Sequence, residues 1–144
     1  MFTLRPVADV LRVVDEVGFD VVQLHGRFTP EDVAAVKASG REAWLLDDGG
    51  DPGATAADGI LIDGVKGNLG GGTGERSDGS RVSVVQAAGK KAILAGGLSA
   101  ANIAAARETG ADVLDVNSSL ETSPGVKSLN RLAELLAQLG VVIS

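Results

Sequence analysis

The stretch KAILAGGLSAANIAAARETGADVLDV, residues 91–116, decides how the rest of the chain is read. It begins with an aliphatic run that stops at a glycine pair, Gly96 and Gly97. Runs of four or five aliphatic residues without polar alternation suit strands buried on both faces. Ser99 then opens an alanine-rich segment that closes at Gly110. A serine before and a glycine after are the start and stop signals of a helix. A second aliphatic run, DVLDV (112–116), completes a strand–helix–strand unit. Such a crossover joins parallel strands.

The same alternation extends outward from this unit. Upstream, SRVSVVQAAG (80–89) predicts a helix and GILID (59–63) a strand ending on Asp63. EAWLLD (42–47) predicts another strand, followed by DDGGDPGATAADG as a loop or a single degraded helical turn. TPEDVAAVKASG gives a helix with Thr29 as N-cap, Pro30 at the first position, acids in the first turn and Gly40 at the end. DVVQL (20–24) predicts a strand running into His25 and Gly26. PVADVLRVVDEVG places Val7, Val10, Leu11, Val14 and Val17 on one helical face and stops at Gly18. Downstream, SPGVKSLNRLAELLAQLG ends in a helix with Leu129, Leu132, Leu135, Leu136 and Leu139 along its apolar side. This order predicts an α/β fold with a parallel sheet covered by outer helices. Gln23, His25, Asp47, Asp63, Gly96, Gly97, Asp115, Asn117 and Ser118 all fall at or just beyond C-terminal strand ends, the rim where parallel α/β folds carry their chemistry. Polar residues from five strands converge most easily in a ring, which favours a barrel-type arrangement.

Composition narrows the function classes. A chain of 144 residues that is 44% hydrophobic suits one domain, residues 1–144, with an aliphatic core, since only 3% of its residues are aromatic. Thirteen basic residues against nineteen acidic give a net charge of -6, which disfavours nucleic acid as a partner. Cysteine is absent, which excludes disulfides, thiolate metal sites and thiol nucleophiles within this chain and is compatible with a reducing cytoplasm. Charged residues interrupt the first eighteen positions, so they do not read as a signal sequence. No run approaches the roughly 18 apolar residues of a membrane span.

Several residues stand out as candidates. The segment Gly71–Gly72–Thr73–Gly74 lacks the lysine of a phosphate-binding P-loop and the spacing of a dinucleotide fingerprint. It reads as a mobile lid more readily than as the main anion cradle. Gly96 and Gly97, between a strand and a helix, allow bare N–H groups to approach a phosphate, and Asn117, Ser118 and Ser119 supply donors at the next strand end. Two adjacent donor-rich strand ends in the last units match the usual phosphate corner of a barrel; the plainer alternative is two turns that need small residues. His25, the only histidine, is equally a structural hydrogen-bonding residue. Asp63 is either a turn aspartate or a general acid at the mouth of a site, and Asp115 holds the equivalent place on the last strand.

DVVQLHG, ILID followed by GGTG, LAGGLSAANI and DVLDVNSSLETSPGVKS resemble, in order and spacing, the phosphoribosylanthranilate isomerases of tryptophan biosynthesis. The resemblance runs from about Val7 to Leu139. It implies a TIM-type (βα) barrel shortened to about six strands, corresponding to the C-terminal three-quarters of the family's eight. It also implies an Amadori rearrangement of N-(5-phosphoribosyl)anthranilate to the 1-deoxyribulose-5-phosphate aminoketose, with no cofactor and no metal. By the same resemblance Asp63 matches the general acid. Gln23, His25 and Asp115 match substrate-binding positions, and Gly96, Gly97, Ser118 and Ser119 the phosphate corner.

The departures are specific. The family's cysteine base, in a KxCGxT motif, and its carboxylate-binding arginine have no counterpart here, and MFTL corresponds to the end of the third strand. After GGTG the chain reads ERSDGS in place of the family's lysine and aromatic pair, and DVNSSLE replaces DVSSGVE. The expectations are therefore an isomerase whose base comes from elsewhere, a sugar-phosphate-binding module without turnover, or an incomplete fragment of the isomerase. The histidine-pathway aminoaldose phosphate is the alternative substrate. Unpaired edges of a shortened sheet lead to an expected homodimer or other oligomer.

Overall fold

A computed structural model of the chain describes residues 1–3, 6–63 and 77–141. In chain order the elements are β1 (Phe2–Thr3), α1 (Val7–Val17), β2 (Val21–His25), α2 (Pro30–Ala38), β3 (Glu42–Leu46), β4 (Gly59–Asp63), α3 (Ser77–Ala87), β5 (Lys91–Ala95), α4 (Ile103–Glu108), β6 (Val113–Leu114), β7 (Glu121–Ser123), β8 (Val126–Lys127) and α5 (Leu129–Gln138). Short 3₁₀ turns occupy Pro52–Ala54 and Ser118–Leu120. Six strands, β1 to β6, make parallel pairings, matching the number expected. No helix among the described residues is long and apolar enough to cross a membrane.

The chain divides into two compact units, residues 1–61 with 84–92, and 62–83 with 93–144. In the first, β1, β2, β3 and β4 form a parallel ladder with Phe2 opposite Leu24, Val22 opposite Ala43 and Leu45 opposite Ile60. β2 alternates, burying Val22 and Leu24 and leaving Val21, Gln23 and His25 half-buried on the other face. β4 instead buries every residue from Gly59 to Ile62, as its unbroken apolar run requires. Helix α1 buries Val10 and Val14, one turn apart, and ends at Gly18, whose positive φ of 79° suits glycine. Val17, grouped with that face by spacing alone, is exposed, because it lies in the last turn beyond the covered stripe. At α2, Thr29 and Asp32 form a reciprocal cap: the Asp32 N–H donates to Thr29 Oγ1 and the Thr29 N–H to Asp32 Oδ2, at 3.3 and 2.8 Å.

One residue, Asp58, ties four segments of this unit together. Its N–H donates to the Ala43 carbonyl at 2.8 Å and its own carbonyl accepts from the Lys91 N–H at 2.9 Å, the first bond of β5. Its carboxylate accepts from the Ala43 N–H at 3.0 Å and from Lys37 Nζ at 2.6 Å. Partial burial pushes this carboxyl up, but the bonds from Lys37 and Ala43 and the lysine charge together hold it below its ordinary 3.8. Glu42 accepts from Lys91 Nζ at 2.6 Å and from Trp44 Nε1 at 3.1 Å; these two bonds, the lysine first, hold it below 4.5. These contacts cluster at the N-terminal ends of β3, β4 and β5, the end that parallel α/β folds devote to stability.

In the second unit β5 and β6 pair in parallel, with Ile93 opposite Val113 and Leu94 opposite Leu114. Ile93, Leu94 and Leu98 are buried together with Ile103 and Ala106 of α4 and Leu135 of α5. Three expectations shift here. Helix α4 begins at Ile103 instead of directly after Ser99. The Ser99 carbonyl accepts from the N–H groups of both Asn102 and Ile103, and Asn102 Oδ1 takes the Ser99 N–H at 2.8 Å, so residues 100–102 form a turn before the helix. β6 covers only Val113–Leu114, although the Asp115 N–H still reaches the Leu94 carbonyl at 2.9 Å. Finally, β7 and β8 form an antiparallel hairpin around Pro124 and Gly125 that apolar periodicity does not announce. Helix α5 starts behind Ser128, whose Oγ accepts from the Arg131 N–H; of its leucine stripe Leu135 is buried, while Leu129 is 81% exposed.

Candidate functional site

The end of β5 is forced into an unusual backbone. Gly96 and Gly97 both adopt positive φ, 86° and 62°, a succession that costs an L-residue about 1–2 kcal/mol at each position. The glycine pair thus serves conformation as well as access. Beside it, the chain continues from β6 through Asp115 and Asn117 to the 3₁₀ turn that starts at Ser118. Between these two strand ends lies a recess of about 100 Å³, lined by Ala95, Gly96, Gly97, Leu98, Asp115, Asn117 and Ser118. That is ample for one small anion.

The recess is rich in unused donors. Among the described residues, the N–H groups of Gly96, Gly97, Leu98 and Ser118 donate to no protein acceptor. Main-chain N–H groups left unpaired at a strand end and an adjoining turn make an anion-binding concavity. Its walls are fixed by side chains: Asn102 Nδ2 donates to the Gly97 carbonyl at 3.1 Å, and Ser119 Oγ donates to the Leu98 carbonyl, joining the two loops. Asp115 contributes a carboxylate to the same lining, which opposes a bound anion and suits a neighbouring hydroxyl or amine.

The structure therefore brings together Gly96, Gly97, Asp115 and Ser118 from the residues singled out in the sequence. Ser119 is adjacent but spends its hydroxyl on Leu98 and does not line the recess. Asp63 belongs to the same unit and is the exposed end of the otherwise buried β4, so its carboxylate is open to a ligand; it too lies outside the lining. Gln23 and His25 belong to the first unit, on the half-buried face of β2. His25 Nδ1 is buried without a hydrogen-bond partner, the one such side-chain atom among the described residues. The proposed lid, Gly71, Gly72, Thr73 and Gly74, lies outside the described residues. Sequence reasoning passed over Asn102 and Lys127. Nothing in spacing marks either, since each acts through a main-chain carbonyl, five and ten residues back in the chain, and not through a motif.

The family model described as "N-(5'phosphoribosyl)anthranilate (PRA) isomerase" matches residues 1–138. An N-(5'-phosphoribosyl)anthranilate isomerase of Chromohalobacter salexigens is 37% identical over 126 residues, covering 83% of this chain and 59% of the relative. One from Cereibacter sphaeroides is 40% identical over 141 residues, covering 86% and 64%. The crystal structure of the phosphoribosyl anthranilate isomerase from Thermus thermophilus superposes with a TM-score of 0.77 at 30% identity, over 96% of this chain and 70% of that one. The chain spans about three fifths of the length of the curated relatives it matches. The family model and the structural likeness both extend over nearly all its length, and the chain belongs to the N-(5'-phosphoribosyl)anthranilate isomerase family.

Proposed function

We propose that residues 1–144 form one barrel-type domain carrying the phosphate corner and the general acid of an aldose–ketose isomerase. The reaction is the Amadori rearrangement of N-(5-phosphoribosyl)anthranilate to its 1-deoxyribulose-5-phosphate aminoketose. The observation that carries this reading is the recess at Gly96, Gly97 and Ser118, with its unpaired N–H groups, in a chain of this family. Anchored there by its 5-phosphate, the sugar is held by a group that takes no part in the bond changes. Binding at such a remote group orients the reacting carbons.

Asp63 donates a proton to the ring oxygen as the C1–O bond breaks, and the anthranilate nitrogen lone pair forms the C1=N bond of the Schiff base. A base then removes the C2 proton, and those electrons form the C1=C2 bond of the enolamine while the C=N pair returns to nitrogen. Tautomerisation moves the C2 hydroxyl proton to C1, leaving a ketone at C2. Carbon 1 is reduced and carbon 2 oxidised within one molecule, so no external electron acceptor is needed. The family's cysteine base has no counterpart in these residues; within the unit that holds the recess, Asp115 is the candidate to accept the C2 proton.

The test is conversion of the substrate by purified protein. The expected result is turnover that Asp63→Asn lowers by about 10²-fold or more, the scale of general acid catalysis, with analogue binding retained. Full turnover by that variant contradicts the assignment. The recess by itself accounts for binding and not for proton transfer, which favours a second reading as a sugar-phosphate-binding module. That reading is selected by saturable binding of a reduced product analogue without conversion. As partners we propose a phosphorylated small molecule and a second chain pairing with the edge of the sheet, in the cytoplasm.

A further inference from the structure

The peptide joining Asn117 to Ser118 stands at the edge of the recess, and its orientation decides whether the Ser118 N–H can serve a ligand. In a planar trans peptide the C=O of one residue and the N–H of the next point in opposite directions. Whatever holds the Asn117 carbonyl on one side therefore aims the Ser118 N–H at the other. That carbonyl accepts from Lys127 Nζ at 2.9 Å and from the Leu120 N–H at 3.1 Å. Lys127 Nζ also donates to Asn117 Oδ1, so the residue is gripped at main chain and side chain together. The ammonium is held in place by Glu121 Oε1 at 2.8 Å, its partner across the hairpin. Its hydrogen bond to Glu121 keeps that carboxyl below its ordinary value.

We propose that Lys127 is a positioning residue: acting through Asn117, it turns the Ser118 N–H into the phosphate recess. The β7–β8 hairpin then has a purpose beyond linking β6 to α5. It carries Lys127 back alongside the strand end it controls. Arg131 repeats the device one step on, since its guanidinium donates to the Ser119 and Glu121 carbonyls from the first turns of α5. The proposal rests on the reading of the recess as a phosphate site.

The test uses the full chain and two variants, Lys127→Met and Lys127→Arg, titrated with the reduced product analogue and with the same analogue lacking its phosphate. Amide hydrogen–nitrogen spectra of the unliganded proteins are recorded alongside. Lys127→Met is expected to move the Ser118 amide signal in the absence of ligand and to weaken the phosphorylated analogue about tenfold, the scale of a hydrogen bond to a charged group. The dephosphorylated analogue should bind wild type and variant alike, and Lys127→Arg should recover most of the loss. An unmoved Ser118 signal with unchanged binding overturns the proposal while leaving the phosphate reading intact. Equal loss of both analogues also overturns it, because that is general destabilisation. Failure of the wild-type chain to prefer the phosphorylated analogue removes the phosphate reading, and this proposal falls with it.

Discussion

At the scale of single residues, a few carboxylates are given opposite tasks by their surroundings. The Asp58 carboxylate is engaged by one main-chain N–H and a lysine at the N-terminal end of the strands, whereas Asp63, five residues later, is delivered to the exposed C-terminal end of β4. Asp58 and Glu42 both lie below their ordinary values in the folded chain. On acidification the unfolded chain therefore takes up protons first. Their contribution to stability is complete above the ordinary values of 3.8 and 4.5 and disappears as the pH falls through the lower folded values. Asp58→Asn should cost about 1–2 kcal/mol at neutral pH, a loss set by weakened bonds to Lys37 and Ala43. The variant should also flatten the acid limb of the stability profile, which urea unfolding measured from neutral pH down to acid pH will show. An acid limb as steep as that of the wild type contradicts this role.

At the scale of elements, the strands and the first two helices were legible because each carries its own signal. β2, β4 and β5 are short apolar runs that end at polar or glycine residues, and α2 is bounded by Thr29, Pro30 and Gly40. The misreadings share a cause: competition between local hydrogen bonds that the sequence does not rank. Ser99 marks the approach to α4, but Asn102 turns its side chain back onto Ser99 and delays the helix to Ile103. Pro124 and Gly125 are turn residues, yet the flanking strands are too short for alternation to reveal a hairpin. The leucine stripe of α5 was visible, but periodicity says which residues share a face, not how much of it is covered. Leu135 is buried and Leu129 is not. Leu135→Ala should therefore cost about 2–5 kcal/mol, and Leu129→Ser should stay within about 0.5 kcal/mol. Chemical denaturation of the two variants measures both, and equal losses contradict the assigned burial.

At the scale of the whole molecule, membership of the family accounts for the order of strands and helices, and the residues of the recess supply what chemistry the chain itself displays. The phosphate corner could be read from the sequence because two consecutive strand ends each carry small residues and donors. Which of those residues face the recess could not: Ser118 lines it, while Ser119 turns to Leu98, a choice made by side-chain geometry. Amide hydrogen–nitrogen spectra recorded while the reduced product analogue is titrated into the full chain test the central claim most directly. The account predicts saturable shifts concentrated at Gly96, Gly97, Leu98 and Ser118, absent when the analogue lacks its phosphate. Saturable binding of the analogue that leaves those four amides unmoved would contradict it.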